Sequence, residues 1–354
     1  MMARVPGGLM VLPLLAGALI NTIDQSRLPF LQNALKALGA QPNAQGYYEL
    51  LRIGGFTEPL FKTGALTLIG LFLFCAASQM NPRVGGRALK KGLLLTASKY
   101  GIGLALGYAF ARFCDPFHGW LGLSTLAIIA AVTNSNGGLY VALTELYGNR
   151  SDVGAIAVLS LNDGPFLTLV GLGLMGANFP WIVFLAVLIP IGLGMLIGNL
   201  DPVVRDFLKP GERLLIPFFA FALGCTLSFT TFFNLAVLGG GLVLGLATTL
   251  LTGLGGILVL RLFGERSQIA GAAEGSTAGN AVGTPAAVAI AAVAAAKTGL
   301  MPASEAARYQ DIVATATAQI SIATLTTAIL CPVLVLYWHR VQTRRGIDGT
   351  QEPT

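Results

Sequence analysis

Charge is scarce in this sequence. Asp, Glu, Lys and Arg make up 11% of its 354 residues, against about 25% in a soluble globular domain. So few charges cannot clothe a water-facing surface, which excludes a soluble fold. Histidine occurs twice, at His118 and His339, both near the edges of apolar runs; this argues against a histidine metal centre or a histidine proton relay. Cys75, Cys114, Cys225 and Cys331 have no metal-ligand spacing, and three of them lie inside apolar runs as packing residues. No metal site and no cofactor are expected. The G-x-S-x-G and H-E-x-x-H patterns and a membrane aspartyl pair are missing, so an intramembrane enzyme is set aside. The net charge of +6 is not gathered into a basic domain or stripe, and no nucleic acid partner is expected.

Apolar residues are what the chain does have: 54% of the total, with 45 glycines and 17 prolines set among them. In a bilayer, Gly permits close helix packing and Pro is tolerated where neighbours satisfy the freed carbonyls. At about 20 residues per span, the length accommodates roughly ten helices. The fold class predicted is an all-α polytopic membrane protein. Its ten segments fall at 8–23, 64–80, 89–111, 120–147, 152–175, 181–200, 212–227, 234–263, 268–296 and 309–338. The first segment has the outline of a signal peptide, with Arg4, an apolar run and Ala16-Gly17-Ala18. A similar run recurs deep in the chain, so it is read as a retained helix.

That recurrence organises the sequence. Val11 to Ile20 resembles Leu188 to Ile197, with Pro13 opposite Pro190 and Gly17 opposite Gly194; Leu68 to Phe74 echoes Leu215 to Phe221. Two matches in the same order on corresponding segments predict an internal repeat of five helices, at 1–178 and 179–340, followed by a polar tail at 341–354 that is expected to be disordered. Five is odd, so the second copy enters the membrane from the opposite side, as in many secondary transporters. Most Lys and Arg, among them Arg83, Arg87, Lys90, Lys91, Arg205, Lys209 and Arg266, fall on the side holding both termini, which predicts cytoplasmic termini. Within the long 24–63 loop, Leu28 to Leu38 reads either as an amphipathic helix on the outer membrane face or as plain linker.

Two polar interruptions occupy corresponding segments. Thr133-Asn134-Ser135-Asn136-Gly137-Gly138 splits the fourth, and Glu274-Gly275-Ser276-Thr277-Ala278-Gly279-Asn280 splits the ninth, followed by Thr284-Pro285 as an N-cap and first-turn pair. Irregular backbone survives at membrane depth only inside protein or beside a water cavity. Half-helix N-termini there can hold an anion, and paired breaks mark a transporter site. The alternative is two turns outside the membrane. A purely structural membrane protein would not need two paired polar breaks.

The candidate binding residues are Asn134, Ser135, Asn136, Gly137, Gly138, Asn162, Ser276, Thr277 and Asn280. In the fifth segment Asp163 sits between apolar runs, either as a functional carboxylate or as a structural helix-end residue. Glu274 is a second proton-carrier candidate, or an interfacial charge. Lys99 is read as snorkelling toward the interface, in preference to meeting a substrate carboxylate, and Gln319 as a polar contact or an interhelical hydrogen bond.

Arg4-Val5-Pro6-Gly7-Gly8-Leu9-Met10, Thr133 to Tyr140, Gly164-Pro165 and Ile216-Pro217-Phe218-Phe219-Ala220-Phe221-Ala222-Leu223-Gly224 resemble the 2-keto-3-deoxygluconate permease family. The resemblance runs from about Arg4 through the tenth segment. It implies proton-coupled uptake of a small anionic sugar acid across a bacterial inner membrane, with the proton as coupling ion and a homodimer left open. It also implies kinship with carriers similar to the bile-acid sodium symporters, in which a core bundle (segments 3–5 and 8–10) moves against a panel (1, 2, 6 and 7). A sodium-coupled organic-anion carrier of the same architecture is the alternative. The chain departs from the family pattern in its longer 24–63 loop, in Asn162-Asp163 where Glu-Ser is expected, and in Glu274.

Overall fold

The structure is a computed structural model that describes residues 8–43, 45–80, 86–162 and 164–351. Among the described residues every regular element is helical. The elements are α1 (Gly8–Gln25), α2 (Pro29–Ala37), α3 (Ala65–Ser78), α4 (Gly86–Phe113), α5 (Thr125–Thr133), α6 (Gly137–Tyr147), α7 (Arg150–Gly154), α8 (Ile156–Leu159), α9 (Phe166–Leu174), α10 (Trp181–Leu200), α11 (Pro202–Leu208), α12 (Gly211–Gly224), α13 (Leu235–Leu262), α14 (Ile269–Ala273), α15 (Thr284–Lys297), α16 (Ala303–Asp311) and α17 (Val313–Arg344). Among the described residues six helical stretches, α5 with α6 counted as one, are long and apolar enough to cross a membrane, and a seventh span arises if α1 and α2, bent by 92°, count as one. On α10, Trp181, Ile182, Leu185, Ile189, Leu193, Leu196 and Leu200 face outward, an arrangement only lipid can solvate. The chain is a multi-pass membrane protein.

Glycine decides how the outer helices cross. A Cβ on Gly17 of α1 would stand 2.3 Å from the Phe221 carbonyl of α12, and one on Gly224 of α12 would stand 2.1 Å from the Leu14 carbonyl of α1. On the other crossing, a Cβ on Gly194 of α10 would stand 2.2 Å from the Phe74 carbonyl of α3, and one on Gly198 would stand 2.0 Å from Ser78. Backbones touch here because nothing lies between them. Gly17 and Gly194 are the matched glycines of the sequence repeat, and Phe221 and Phe74 are its matched phenylalanines. α12 also packs on α3.

The remaining long helices, α4, α13 and α17, pack on the short ones. α4 holds α5, α7 and α8, while α13 holds α14 and α17. The end of this unit is tied by charge. Glu265, in the turn after α13, accepts from Arg87 Nε at 3.1 Å and Lys90 Nζ at 3.0 Å, with Lys91 Nζ at 3.9 Å. Lys91 also donates to Asp152, which closes a capping box with Asn149 at the start of α7. Burial opposes charge on Glu265, but its hydrogen bonds from Lys90 and Arg87 and the nearby Lys91 hold the carboxyl below its usual range.

Several boundaries differ from the sequence reading. The fifth segment, expected to run unbroken over 152–175, is cut into α7, α8, a 3₁₀ turn at Ser160–Asn162 and α9. Gly164 adopts φ +87° and Pro165 has no N–H to continue the ladder. The tenth segment begins at Val313, because 303–311 forms its own helix. The tail is not disordered from 341: α17 continues to Arg344, and Asn149 Nδ2 donates to the Gln351 carbonyl at 3.4 Å. In the 24–63 loop the amphipathic helix is present as α2. The stretch after it is folded too: Gln32 bonds both backbone groups of Tyr48, Asp24 accepts from Leu50 N at 3.0 Å, and Lys62 Nζ pairs with Glu49 at 3.0 Å. Arg4 to Gly7, Arg83 and 352–354 lie outside the described residues.

Two outcomes test this packing. Gly17→Leu and Gly194→Leu each lower stability by about 1–3 kcal/mol or more, read as thermal unfolding in detergent. Gly192→Leu, in open space, leaves it unchanged. For the charge tie, the stabilisation from Glu265 is complete above the ordinary glutamate value of 4.5 and fades as pH falls through its lower folded value. Glu265→Gln therefore melts below the parent at pH 7, and the two curves converge as pH falls below the lowered folded value.

Candidate functional site

The two polar interruptions are helix breaks, and they meet. Residues 134–136 separate α5 from α6, with Asn134 in extended backbone (φ −85°, ψ 135°). Asn136 is the N-cap of α6, its Oδ1 accepting from Leu139 N at 3.1 Å. Residues 274–279 separate α14 from a 3₁₀ turn at Asn280–Gly283 that runs into α15. Pro285 falls in the first turn of α15 as predicted, but the cap expected of Thr284 is not made. Gly283 takes the N-cap position, and the Thr284 hydroxyl is buried without a partner, since the 3₁₀ turn already feeds the helix.

A buried ion pair joins the breaks. Lys99 is the fourteenth of the 28 residues of α4, about 20 Å along the helix from its start. It does not snorkel: it is 1% exposed, because acceptors lie within reach at that depth and the interface does not. Its Nζ donates to Glu274 Oε2 at 3.0 Å, to the Glu274 carbonyl at 2.9 Å and to the Ser276 carbonyl at 2.6 Å. From the first break, Ser135 Oγ lies 3.0 and 2.9 Å from the two carboxylate oxygens of Glu274. From α13, Thr252 Oγ1 donates to the Glu274 carbonyl at 3.0 Å. Glu274 is fully buried, not an interfacial charge. Thr277 completes the crossing by donating to the Ala131 carbonyl at 3.0 Å, while its own N–H donates to Thr327 Oγ1 of α17 at 3.1 Å.

The opposite face of the breaks is turned to the glycine-crossed helices. A Cβ on Gly279 would meet Met10 of α1; one on Gly283, Ile69 of α3 and Leu223 of α12; one on Gly164, Leu73 of α3. Along these breaks, and at Asn162 in the 3₁₀ turn of the fifth segment, polar atoms are buried without partners: Asn134 Oδ1, both amide atoms of Asn162, Ser276 Oγ and Asn280 Oδ1. Buried polar groups are nearly always satisfied, so these orphans need an explanation. Amide and hydroxyl groups of both polarities suit a polyhydroxy ligand.

The predicted residues therefore divide. Glu274 and the Ser276 carbonyl bond Lys99, and Ser135 bonds the Glu274 carboxylate. Asn134, Asn162 and Asn280 keep free hydrogen-bonding capacity. Asn136 is committed to capping and Thr277 to the crossing. A Cβ on Gly137 would press on Ile156 at 3.1 Å, whereas Gly138 is open apart from Asn136. Asp163 lies outside the described residues. Gln319 makes an interhelical bond, Nε2 to the Leu121 carbonyl at 3.0 Å. The sequence reading missed the Lys99–Glu274 partnership and the role of Thr252. Opposite charges in two apolar segments were the available signal, since intramembrane charges pair with one another.

Comparison with known proteins gives one result. The profile of the 2-keto-3-deoxygluconate permease family matches residues 47–344. The chain is 44% identical to 2-keto-3-deoxygluconate permease 1 of Salmonella typhimurium over 350 residues, covering 97% of this chain and 96% of the relative. It is 35% identical to the 2-keto-3-deoxygluconate permease of Bacillus subtilis over 340 residues, covering 94% and 91%. With that of Escherichia coli K12 the identity is 33% over 343 residues, covering 95% and 93%.

Removing one partner of a buried pair strands the other, at a cost of about 3–5 kcal/mol. Glu274→Gln alone is expected to destabilise the protein strongly. Adding Lys99→Met to it recovers much of the loss, and a double-mutant cycle read by thermal unfolding gives a coupling energy above about 1 kcal/mol.

Proposed function

Because this chain belongs to the 2-keto-3-deoxygluconate permease family, and is therefore a transporter and not an enzyme, we propose that it carries 2-keto-3-deoxygluconate or a closely related sugar acid inward across the bacterial inner membrane with a proton. The observation that carries this reading is the convergence of two helix breaks around a buried ion pair, with unsatisfied amide and hydroxyl groups alongside. The substrate hydroxyls pair with Asn134, Asn162, Ser276 and Asn280. Its carboxylate lies at the half-helix N-termini, where main-chain N–H groups and the helix dipole favour negative charge.

Ten spans in two inverted repeats of five form the frame of this reading, at 1–178 and 179–340, with both termini cytoplasmic. The packing supports it by its exchange symmetry. Gly17 on Phe221 and Gly194 on Phe74 are the same contact made twice by the matched residues. α1 lies on α12 as α10 lies on α3, and α4 on α5 as α13 on α14. The panel is then α1, α3, α10 and α12, and the core is α4–α9 with α13–α17.

Proton coupling falls to carboxylates of the core, Asp163 first and Glu274 second. A protonated carboxylate no longer repels an incoming anion, so proton and substrate favour one another's binding. Labelled 2-keto-3-deoxygluconate should accumulate in proteoliposomes under an imposed proton gradient without sodium, and Asp163→Asn should uncouple accumulation from that gradient. Undiminished coupling in Asp163→Asn removes that residue from the role, and no uptake under any gradient by folded protein removes the substrate.

A further inference from the structure

The three contacts of Lys99 have an unusual composition. Two of its acceptors are main-chain carbonyls, Glu274 O and Ser276 O, freed from helical bonding by the break; the third is a carboxylate oxygen of Glu274. The Ser276 hydroxyl is buried beside them without a partner, and the Ser135 hydroxyl braces the same carboxylate. Unwound main-chain carbonyls are the groups by which broken membrane helices hold a free alkali cation, and the carboxylate adds a compensating charge. Here an ammonium group takes the cation's place. The distances of 2.6–3.0 Å are those of charge-assisted N–H···O bonds, and all three ammonium protons are used.

Among the described residues Lys99 is the cation paired with Glu274. The titratable and charged groups that face this point are Glu274 on the break, Tyr140 of α6 and Cys331 of α17, whose thiol lies against the Ala272 and Ala273 carbonyls; α13 contributes the neutral Thr252. Without a positive charge, the Glu274 carboxylate and two inward carbonyls would be buried together uncompensated, which is costly. The break is thus built around a cation, and α4 provides it.

We propose that Lys99 is a built-in counterpart of an alkali cation: its ammonium fills a cation site at the helix break, making the carrier independent of sodium and potassium, and loss of the side-chain charge turns that site into one that takes a free alkali ion. This rests on the carrier reading above and extends it to ion selectivity.

The test is thermal unfolding of the purified full chain in detergent, in choline chloride, NaCl and KCl at equal ionic strength. The parent protein melts at one temperature in all three. Lys99→Ala melts about 2 °C or more higher in NaCl or KCl than in choline chloride, and the added Glu274→Gln abolishes the difference. A folded Lys99→Ala without an alkali-specific shift overturns the proposal, as does a parent protein that itself shows one. Should Lys99→Ala fail to fold, Lys99→Gln carries the same two outcomes with more of the side chain kept. Uptake by the parent in proteoliposomes gives an independent reading: full-rate uptake without sodium and potassium supports the proposal, and a strict need for either overturns it. Absence of sugar-acid uptake in every medium would remove the substrate while leaving the salt-dependent melting of Lys99→Ala intact, so the two readings fail separately.

Discussion

Everything at the centre of this protein depends on one buried charge being answered. Two helices are interrupted at the same depth, and each interruption exposes main-chain groups that the bilayer cannot satisfy. The Lys99 ammonium and the Glu274 carboxylate solve this jointly. The first takes up two freed carbonyls, the second takes up the Ser135 hydroxyl of the opposing break, and each neutralises the other. Either residue alone would be a buried charge without compensation. The pair is therefore less a source of stability than a condition for the irregular backbone to exist, and along that backbone lie the unsatisfied groups of Asn134, Ser276 and Asn280.

A division of labour between residue types follows. Small residues set distances where helix meets helix. On the outer helices Gly17, Gly194, Gly198 and Gly224 bring backbones into direct contact, and within the other unit Gly256 of α13 meets Gly271 of α14 in the same way. Hydroxyl residues bind main chain to main chain: Thr252, Thr277, Thr324 and Thr327 all bond across or along the second break. Along α4 the ion-paired charges fall in two places, the tie of Arg87, Lys90 and the buried Lys91 near its start and the deep site at Lys99.

The long helices were legible because apolar runs bounded by charge are unambiguous in a membrane chain. The segment at 181–200 coincides with α10, and those at 8–23 and 234–263 differ from α1 and α13 by one or two residues. Both breaks were legible because Asn, Ser and Gly interrupt apolar runs where nothing else does. The cut in the fifth segment was missed, although Gly164-Pro165 was in view, because apolar flanks on both sides outweighed two backbone-specific residues. The folding of the 24–63 loop was not readable, since it rests on pairings such as Gln32 with Tyr48 and Lys62 with Glu49 that no periodicity encodes. Lys99 was misplaced for a related reason. A lone lysine in an apolar run is assigned to the interface unless its partner is known, and its partner stands 175 residues away.

The glycine crossings have a mechanical consequence. Where backbone rests on backbone, a shift of one residue would drive a side chain into the neighbouring chain, so α1 with α12, and α3 with α10, are locked in register like teeth in a rack. Where Met10, Ile69, Leu73 and Leu223 face Gly164, Gly279 and Gly283, the contact is between flexible side chains and smooth glycine surface, which resists displacement far less. Shear applied to this molecule would be relieved along that seam, and the seam borders the helix breaks.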